Sequence, residues 1–290
     1  MPPSSKRLVL ATCALGMFSA NLPSIPIAVA VPTIADFFGA DIPSAQWIMT
    51  AHFVALAATM LPIGAAGDIL GRWRVYLAGL GVLLVSLAAT PFVPSLDVLI
   101  VLRVVQGVGA GMVMVSAPAI ISATVDQQQR GRSIGALFLG GWLASGLGPP
   151  VFGLLLQWLP WHAAFTTMLP PTAAGLGLAL SLRRVEVRTA MPFDRLGAVL
   201  LVMTFGLLVV GVGHGQEERW ELGHTAGHVG PLVFVAIAAG VLYVLHARRA
   251  PHPLLPLHLF RSVTLTTASI TNGLVHMTML MISFLMPFSF

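Results

Sequence analysis

Charge is what this chain has least of. Charged residues are 9% of its 290 positions and hydrophobic ones 57%, whereas a soluble domain carries about 25% charge. Cysteine is nearly absent as well. Cys13 stands alone, which excludes a disulfide framework and any cysteine-based metal site. The LATC sequence of Leu10 to Cys13 faintly resembles a lipoprotein cleavage box, but the apolar run before it is only Leu8 to Thr12; the other reading is a small residue in a first membrane span. No Ser-His-Asp grouping, HExxH, phosphate loop or CxxC occurs, so neither an enzyme nor a bound cofactor or metal has a motif to rest on.

Long apolar runs take the place of charge. The mean hydropathy is +0.90, and each crossing of a hydrocarbon core of about 30 Å needs about 20 apolar residues. Nine candidate spans follow: Leu8 to Val31, Ala45 to Ala66, Val75 to Val93, Val98 to Ile121, Ser133 to Leu156, Ala163 to Leu182, Leu196 to Val212, Val229 to Leu245, and Leu265 to Phe290. Backbone amides in lipid need partners within their own segment, and the alternation of a membrane barrel is missing, so the spans are helices and the fold class is an all-α, polytopic transmembrane bundle.

The net charge of +5 is distributed as a topology signal. With Lys6 and Arg7 placed in the cytoplasm, thirteen of the fifteen basic residues fall on that side; Arg219 lies outside and Arg103 within a span. That grouping argues against nucleic acid as a partner. None of the ten acidic residues falls inside a span. In the longest external loop, His224 and His228 stand at helical spacing near three glutamates, which suits either a metal or a solvated loop.

Two boundaries divide the chain. Residues 1–182 form a six-helix bundle, 183–247 a mixed-charge linker and an inserted helix pair, and 248–290 a connector stiffened by Pro251, Pro253 and Pro256 with the first helix of a further bundle.

Three stretches carry the functional signal. Gly64, Asp68, Gly71, Arg72 and Arg74 lie in the turn after the second span, where glycines permit a sharp reversal and Asp68 can pair with a cation. In the fourth span Arg103, Gln106 with Gly107, Ala110 with Gly111, and Met114 recur at helical spacing, putting the charge, the amide and a small-residue contact on one face. In the fifth, Gly148, Pro149, Pro150 and Gly153 read as a bend or hinge.

Together these stretches resemble the major facilitator superfamily, and within it the fourteen-helix drug:proton antiporters, of which about nine helices are present. The resemblance implies that the loop residues set the equilibrium between inward- and outward-facing states. It also implies that Arg103 serves proton coupling with Gln106 beside it, and that Gly148, Pro149 and Gly153 control bending. Trp161, Phe165, Pro170, Phe193, Asp194, Gly197 and the run from His252 to Phe260 are further landmarks. Two departures stand out. Phe152 replaces a glycine in the helix-five motif, and Pro23 occupies the place of the first-helix aspartate, with Ala28 where asparagine is usual.

A titrating group is therefore missing from the first helix; Asn21 is polar but cannot take its place. Depth arithmetic at about 1.5 Å per residue brings Pro23, His52 and Arg103 to a similar level of the outer half. Asn21, His52 and Arg103 are expected to line one cavity, with His52 as the substitute proton carrier. The alternatives are a satisfied buried histidine and an Arg103 that snorkels to the outer surface. His276, amid Met277, Met279, Met281 and Met286, suits either a promiscuous apolar ligand or plain lipid contact.

The reading is an inner-membrane transporter, N-terminus cytoplasmic, exporting small amphipathic molecules against protons across the lipid bilayer by alternating access. A second bundle, in the chain or from a partner, is needed for transport. The rival reading is a truncated, non-transporting membrane fragment or a partner of another membrane protein. An ion pore lacks a carbonyl filter or a charged ring.

Overall fold

Proline and small residues decide where these apolar runs break and how closely they pack. The computed structural model describes residues 3–24, 26–182, 192–217 and 225–285, with side chains for 6–24, 27–182, 192–211, 229–259 and 261–274. Its helices are α1 (Pro3–Asn21), α2 (Val31–Phe38), α3 (Ile42–Leu70), α4 (Arg72–Ala89), α5 (Leu96–Thr124), α6 (Arg130–Leu156), α7 (Trp161–Thr166), α8 (Leu169–Ser181), α9 (Arg195–Glu217), α10 (Thr225–Ala247) and α11 (Val263–Leu285). Among the described residues no strand occurs. Six segments of the described residues are long and apolar enough to cross a membrane: Ile42–Leu70, Arg72–Phe92, Leu96–Thr124, Gln127–Leu156, Trp161–Ser181 and Val229–Ala247.

The first expected span, Leu8 to Val31, is not one helix. After Asn21 the chain turns, passes through a 3-10 segment at Pro26–Ala30 and only then enters α2. Pro23 and Pro26 supply no N–H to the ladder, which explains the interruption. The sixth span is likewise divided, at Thr167 and Met168, ahead of Pro170 and Pro171. By contrast α6 continues through Pro149 and Pro150. Its missing N–H groups are those that would have reached the Ser145 and Gly146 carbonyls.

Side-chain contacts set the directions of the helices. Arg103 on α5 meets Ile48 on α3, Gly107 meets His52 and Ala55, and Gly111 meets Leu56, Thr59 and Ile63. Numbers rise together, so α3 and α5 run parallel. Gly79 of α4 lies against Met112 and Gly109, and Thr90 meets Gln106, so α4 runs antiparallel to α5. Ala14 meets Gly140 and Val29 meets Gly153, which makes the first segment parallel to α6. Such alternation is what successive membrane crossings require.

Two large clusters of apolar side chains are buried. One holds Cys13, Met17, Trp73, Tyr76, Leu80, Leu83, Val113 and Ile120; the other holds Ile27, Ile34, Ile48, Leu87, Leu99, Phe152, Trp161 and Phe165. Along α5, Arg103 and Gln106 fall between Leu99 of the second cluster and Ala110 of the first. His52 holds the equivalent place on α3. A polar layer thus lies between two dry ones.

The bundle ends are tied by polar contacts. Lys6 reaches Asp126 at 2.9 Å, and this hydrogen bond, with the lysine's charge, holds the Asp126 carboxyl below the usual carboxylate range. Asp194 Oδ1 accepts the Gly197 backbone N–H at 2.8 Å, capping α9, and lies 2.8 Å from His246 Nε2 on α10. The Tyr243 hydroxyl accepts the Leu255 N–H at 2.8 Å and donates to the Leu255 carbonyl at 3.3 Å. Leu61 of α3 joins Leu201, Tyr243 and Leu257 in a further cluster, which seats the α9–α10 pair and the connector on α3.

The α3–α5 crossing depends on Gly107, where a Cβ would collide with the His52 carbonyl oxygen and stand 2.9 Å from the Ala55 Cβ. Gly107→Leu is expected to lower stability by about 1–3 kcal/mol, read as a drop in melting temperature of the detergent-solubilised chain. Gly146→Ala, which meets nothing within 4 Å, should leave the melt unchanged or raise it slightly.

Candidate functional site

Arg103 sits roughly 10 Å along α5 from Leu96, at 1.5 Å per residue, and is fully buried. A guanidinium can only donate, so its neighbours must accept. Nε donates to the Ile48 carbonyl of α3 at 2.9 Å, and Nη1 donates to Gln106 Oε1 one turn along at 2.7 Å. That fixes the amide's orientation, leaving Gln106 Nε2 to donate to Thr90 Oγ1 at 3.1 Å. Thr90 then donates to the Ser86 carbonyl of α4 at 3.0 Å. One chain of donors runs from Arg103 through Gln106 and Thr90 into α4. Arg103 Nη2, also buried, has no partner.

His52 is buried on α3, one turn beyond Ile48. Its Nε2 lies 2.9 Å from Ser24 Oγ, and Ser24 is also 3.4 Å from the Ala20 carbonyl. Either the serine donates to Nε2, or Nε2–H donates to a serine that donates to Ala20. Both arrangements satisfy Nε2 and neither satisfies Nδ1, which is buried without a partner. Ser24 belongs to the interruption after α1, so a break in one helix supplies the hydroxyl that meets the imidazole of another.

Of the residues expected to share a cavity, Arg103, Gln106 and His52 meet in the α3–α5 layer. Asn21 turns elsewhere. Its Nδ2 donates to the Met17 carbonyl at 2.8 Å, and its amide faces Gly141 of α6. Ser24 and Thr90 are the members that the sequence reading passed over. Each hydroxyl bonds a carbonyl of its own chain four residues back, an ordinary habit of serine and threonine in helices. Only the i, i+3 reach of Arg103 to Gln106 was visible as a pattern.

The loop between α3 and α4 turns on Gly71, whose φ of 101° is open to glycine and strained for other residues. Asp68 forms an ion pair with Arg72 across this turn, while Gly64 faces Val115 of α5, 3.2 Å from where a Cβ would stand. Arg74 is exposed at the start of α4. Beside the loop a cavity of about 580 Å³ is lined by Asp68 and Ile69 on one side and Phe193, Arg248 and His258 on the other. In α6, Gly148 is buried and Pro149 half-buried; Gly153 faces Val29, 3.6 Å from the place of a Cβ. Phe152, which departs from the motif, packs its ring on Phe165 at 5.6 Å. The expected loop around His224 and His228 and the methionines near His276 lie outside the described side chains.

A family profile described as Major Facilitator Superfamily matches residues 8–290. The chain is 30% identical over 271 residues to Multidrug resistance protein Stp of Mycobacterium tuberculosis, a match covering 92% of this chain and 49% of that protein. It is 29% identical to the Methylenomycin A resistance protein of Streptomyces coelicolor, covering 100% of this chain and 60% of that one. The chain thus spans about half the length of the curated relatives it matches. Among solved structures, a peptide transporter POT in complex with alafosfalin superposes with a TM-score of 0.59 at 17% identity, over 83% of this chain and 52% of that chain.

The donor chain makes a prediction that separates pairing from charge. Gln106→Leu leaves Nη1 of a buried cation unpaired and is expected to cost about 1–3 kcal/mol. The double variant Arg103→Met with Gln106→Leu removes both polar groups and should recover most of that loss. Melting curves of the two variants beside the parent check the ordering.

Proposed function

We propose that this chain, which belongs to the Major Facilitator Superfamily, forms the first bundle and the inserted helix pair of a proton-coupled exporter of amphipathic small molecules. It is a multi-pass membrane protein. The observation that carries the proposal is the polar layer around Arg103. A charge at membrane depth is costly and is retained where it serves a substrate or ion path, and here it is held by neutral acceptors from a neighbouring helix and from its own.

In this reading, alternating access moves the first bundle against a second one, in the same polypeptide or in a partner chain. The second bundle is part of the proposal. His52 takes the place of the absent first-helix carboxylate as the titrating group, because imidazole changes charge near neutral pH. Its contact with Ser24 couples that proton to the turn that follows α1. The Asp68–Arg72 pair latches the turn on the cytoplasmic face, and its breakage accompanies the change of state. The basic residues in the loops set the N-terminus in the cytoplasm, and the inner membrane is the proposed location. Names of relatives such as Multidrug resistance protein Stp and Methylenomycin A resistance protein support export as the direction.

Energised everted vesicles test these roles, with a panel of amphipathic dyes of both charges and a probe of the pH gradient. Arg103→Gln is expected to lower dye-dependent proton release by about tenfold or more, the loss of over 1.4 kcal/mol of coupling. Asp68→Asn should slow transport while leaving the melt unchanged. If His52→Gln leaves the pH dependence of export as it was, His52 is not the coupling group.

A further inference from the structure

We infer that the molecules this polar layer receives are organic anions, whose carboxylate or sulfonate docks on the free edge of Arg103 beside the free nitrogen of His52. The inference rests on the transporter reading above and deepens it by naming a substrate class. It begins from the charges. Arg103 is fully buried, and both of its partners, the Ile48 carbonyl and the Gln106 amide oxygen, are neutral. No acidic residue falls inside any expected span. Those on described helices, Asp36, Asp68, Asp97 and Glu217, sit near helix ends, and Asp68 is already paired with Arg72. The positive charge in the layer is therefore uncompensated among the described residues.

A buried cation in that position is costly unless an anion approaches. It also repels a cationic guest, the class for which an intramembrane carboxylate would be the recognition group. Two unpartnered nitrogens mark where the anion fits. Arg103 Nη2 is a planar donor, suited to a carboxylate or sulfonate oxygen. His52 Nδ1 donates in the tautomer where Ser24 supplies its proton to Nε2, and in the imidazolium. The two side chains share one crossing. Arg103 bonds the carbonyl one turn before His52, and Gly107, one turn after Arg103, rests on the His52 carbonyl.

An amphipathic anion suits the surroundings better than a bare one, because the layer lies between apolar clusters that include Leu99 and Ile48 on one side and Ala110 and Val113 on the other. The layer is closed in this conformation. Ser24, whose hydroxyl meets His52, lies in the turn that follows α1.

Fluorescein and rhodamine 123 share a xanthene core and differ in charge, which makes them suitable probes. The 290-residue chain in phosphatidylcholine nanodiscs, in low-salt Tris buffer at a fixed pH, is titrated with each dye by fluorescence anisotropy, empty discs being subtracted. Fluorescein is expected to bind at least about tenfold more tightly than rhodamine 123. Arg103→Gln should remove that preference by weakening fluorescein alone, and Arg103→Lys, which keeps the charge without the planar fork, should fall between. Equal binding of the two dyes by the parent chain, or a preference for rhodamine 123, overturns the inference without recourse to any variant. So does a preference that survives Arg103→Gln in protein that melts like the parent. If added chloride abolishes fluorescein binding and raises the melting temperature only when Arg103 is present, the site belongs to an inorganic anion and the substrate class is wrong. Binding is read without transport, so a negative result here leaves the export reading to its vesicle assay, and failed export leaves a measured dye preference standing.

Discussion

A guanidinium buried without a carboxylate must be solvated by the protein's neutral dipoles, and the arrangement of α3, α4 and α5 follows from that requirement. The Ile48 carbonyl can accept from Arg103 only if α3 lies within side-chain reach of α5. Gln106 can relay the bond to Thr90 only if α4 closes the other flank. The small residues serve the same end. Gly107 brings α3 to contact with the backbone of α5, and Gly79 does so for α4 through Gly109. Leucines at these positions would hold the helices apart and leave the cation without acceptors.

Polar and apolar layers also divide the work of stability. The clusters around Tyr76 and Trp161 exclude lipid and hold the helices by close packing, since within a bilayer helix association has no hydrophobic drive of its own. Between them the hydrogen bonds are few and directional. Arg103 is the member of that layer with the least stabilising reason to be there, because a buried ion is commonly replaced by apolar residues without loss. Its retention at the crossing of two close-packed helices is an argument for function.

Much of the fold was legible in the sequence because lipid makes composition decisive. Apolar runs of the required length located the helices from α3 to α6. Arg103 and Gln106 were visible as neighbours because a helix places i and i+3 on one face. The first span was less legible. Pro23 was seen as a departure in chemistry, whereas the effect of Pro23 and Pro26 on the ladder, which ended α1 at Asn21 and released Ser24 toward His52, was not. Asn21 shows the limit of depth arithmetic. Rise along an axis gives one coordinate, and the angle around the axis, which turns Asn21 to Gly141, is set by packing between helices that are distant in sequence. Thr90 was hidden for a related reason, since it stands beyond the end of α4 in a short 3-10 turn where a contact to α5 leaves no local pattern.

The tie between Tyr243 and Leu255 bears on how far α11 can travel. The Leu255 backbone is held at both its N–H and its carbonyl, so the slack between α10 and α11 begins no earlier than Pro256. Seven residues, Pro256 to Ser262, then separate the fixed point from Val263, a maximum reach of about 25 Å at 3.3–3.6 Å per extended residue. Leu257–Arg261 is coiled as a 3-10 segment, which shortens the reach further. A helix on so short a leash samples a small volume, at effective concentrations of the order of millimolar. Any surface of α3, α9 or α10 that it meets is therefore met as a neighbour rather than found by diffusion, and lengthening that leash would weaken the encounter without altering a single contact.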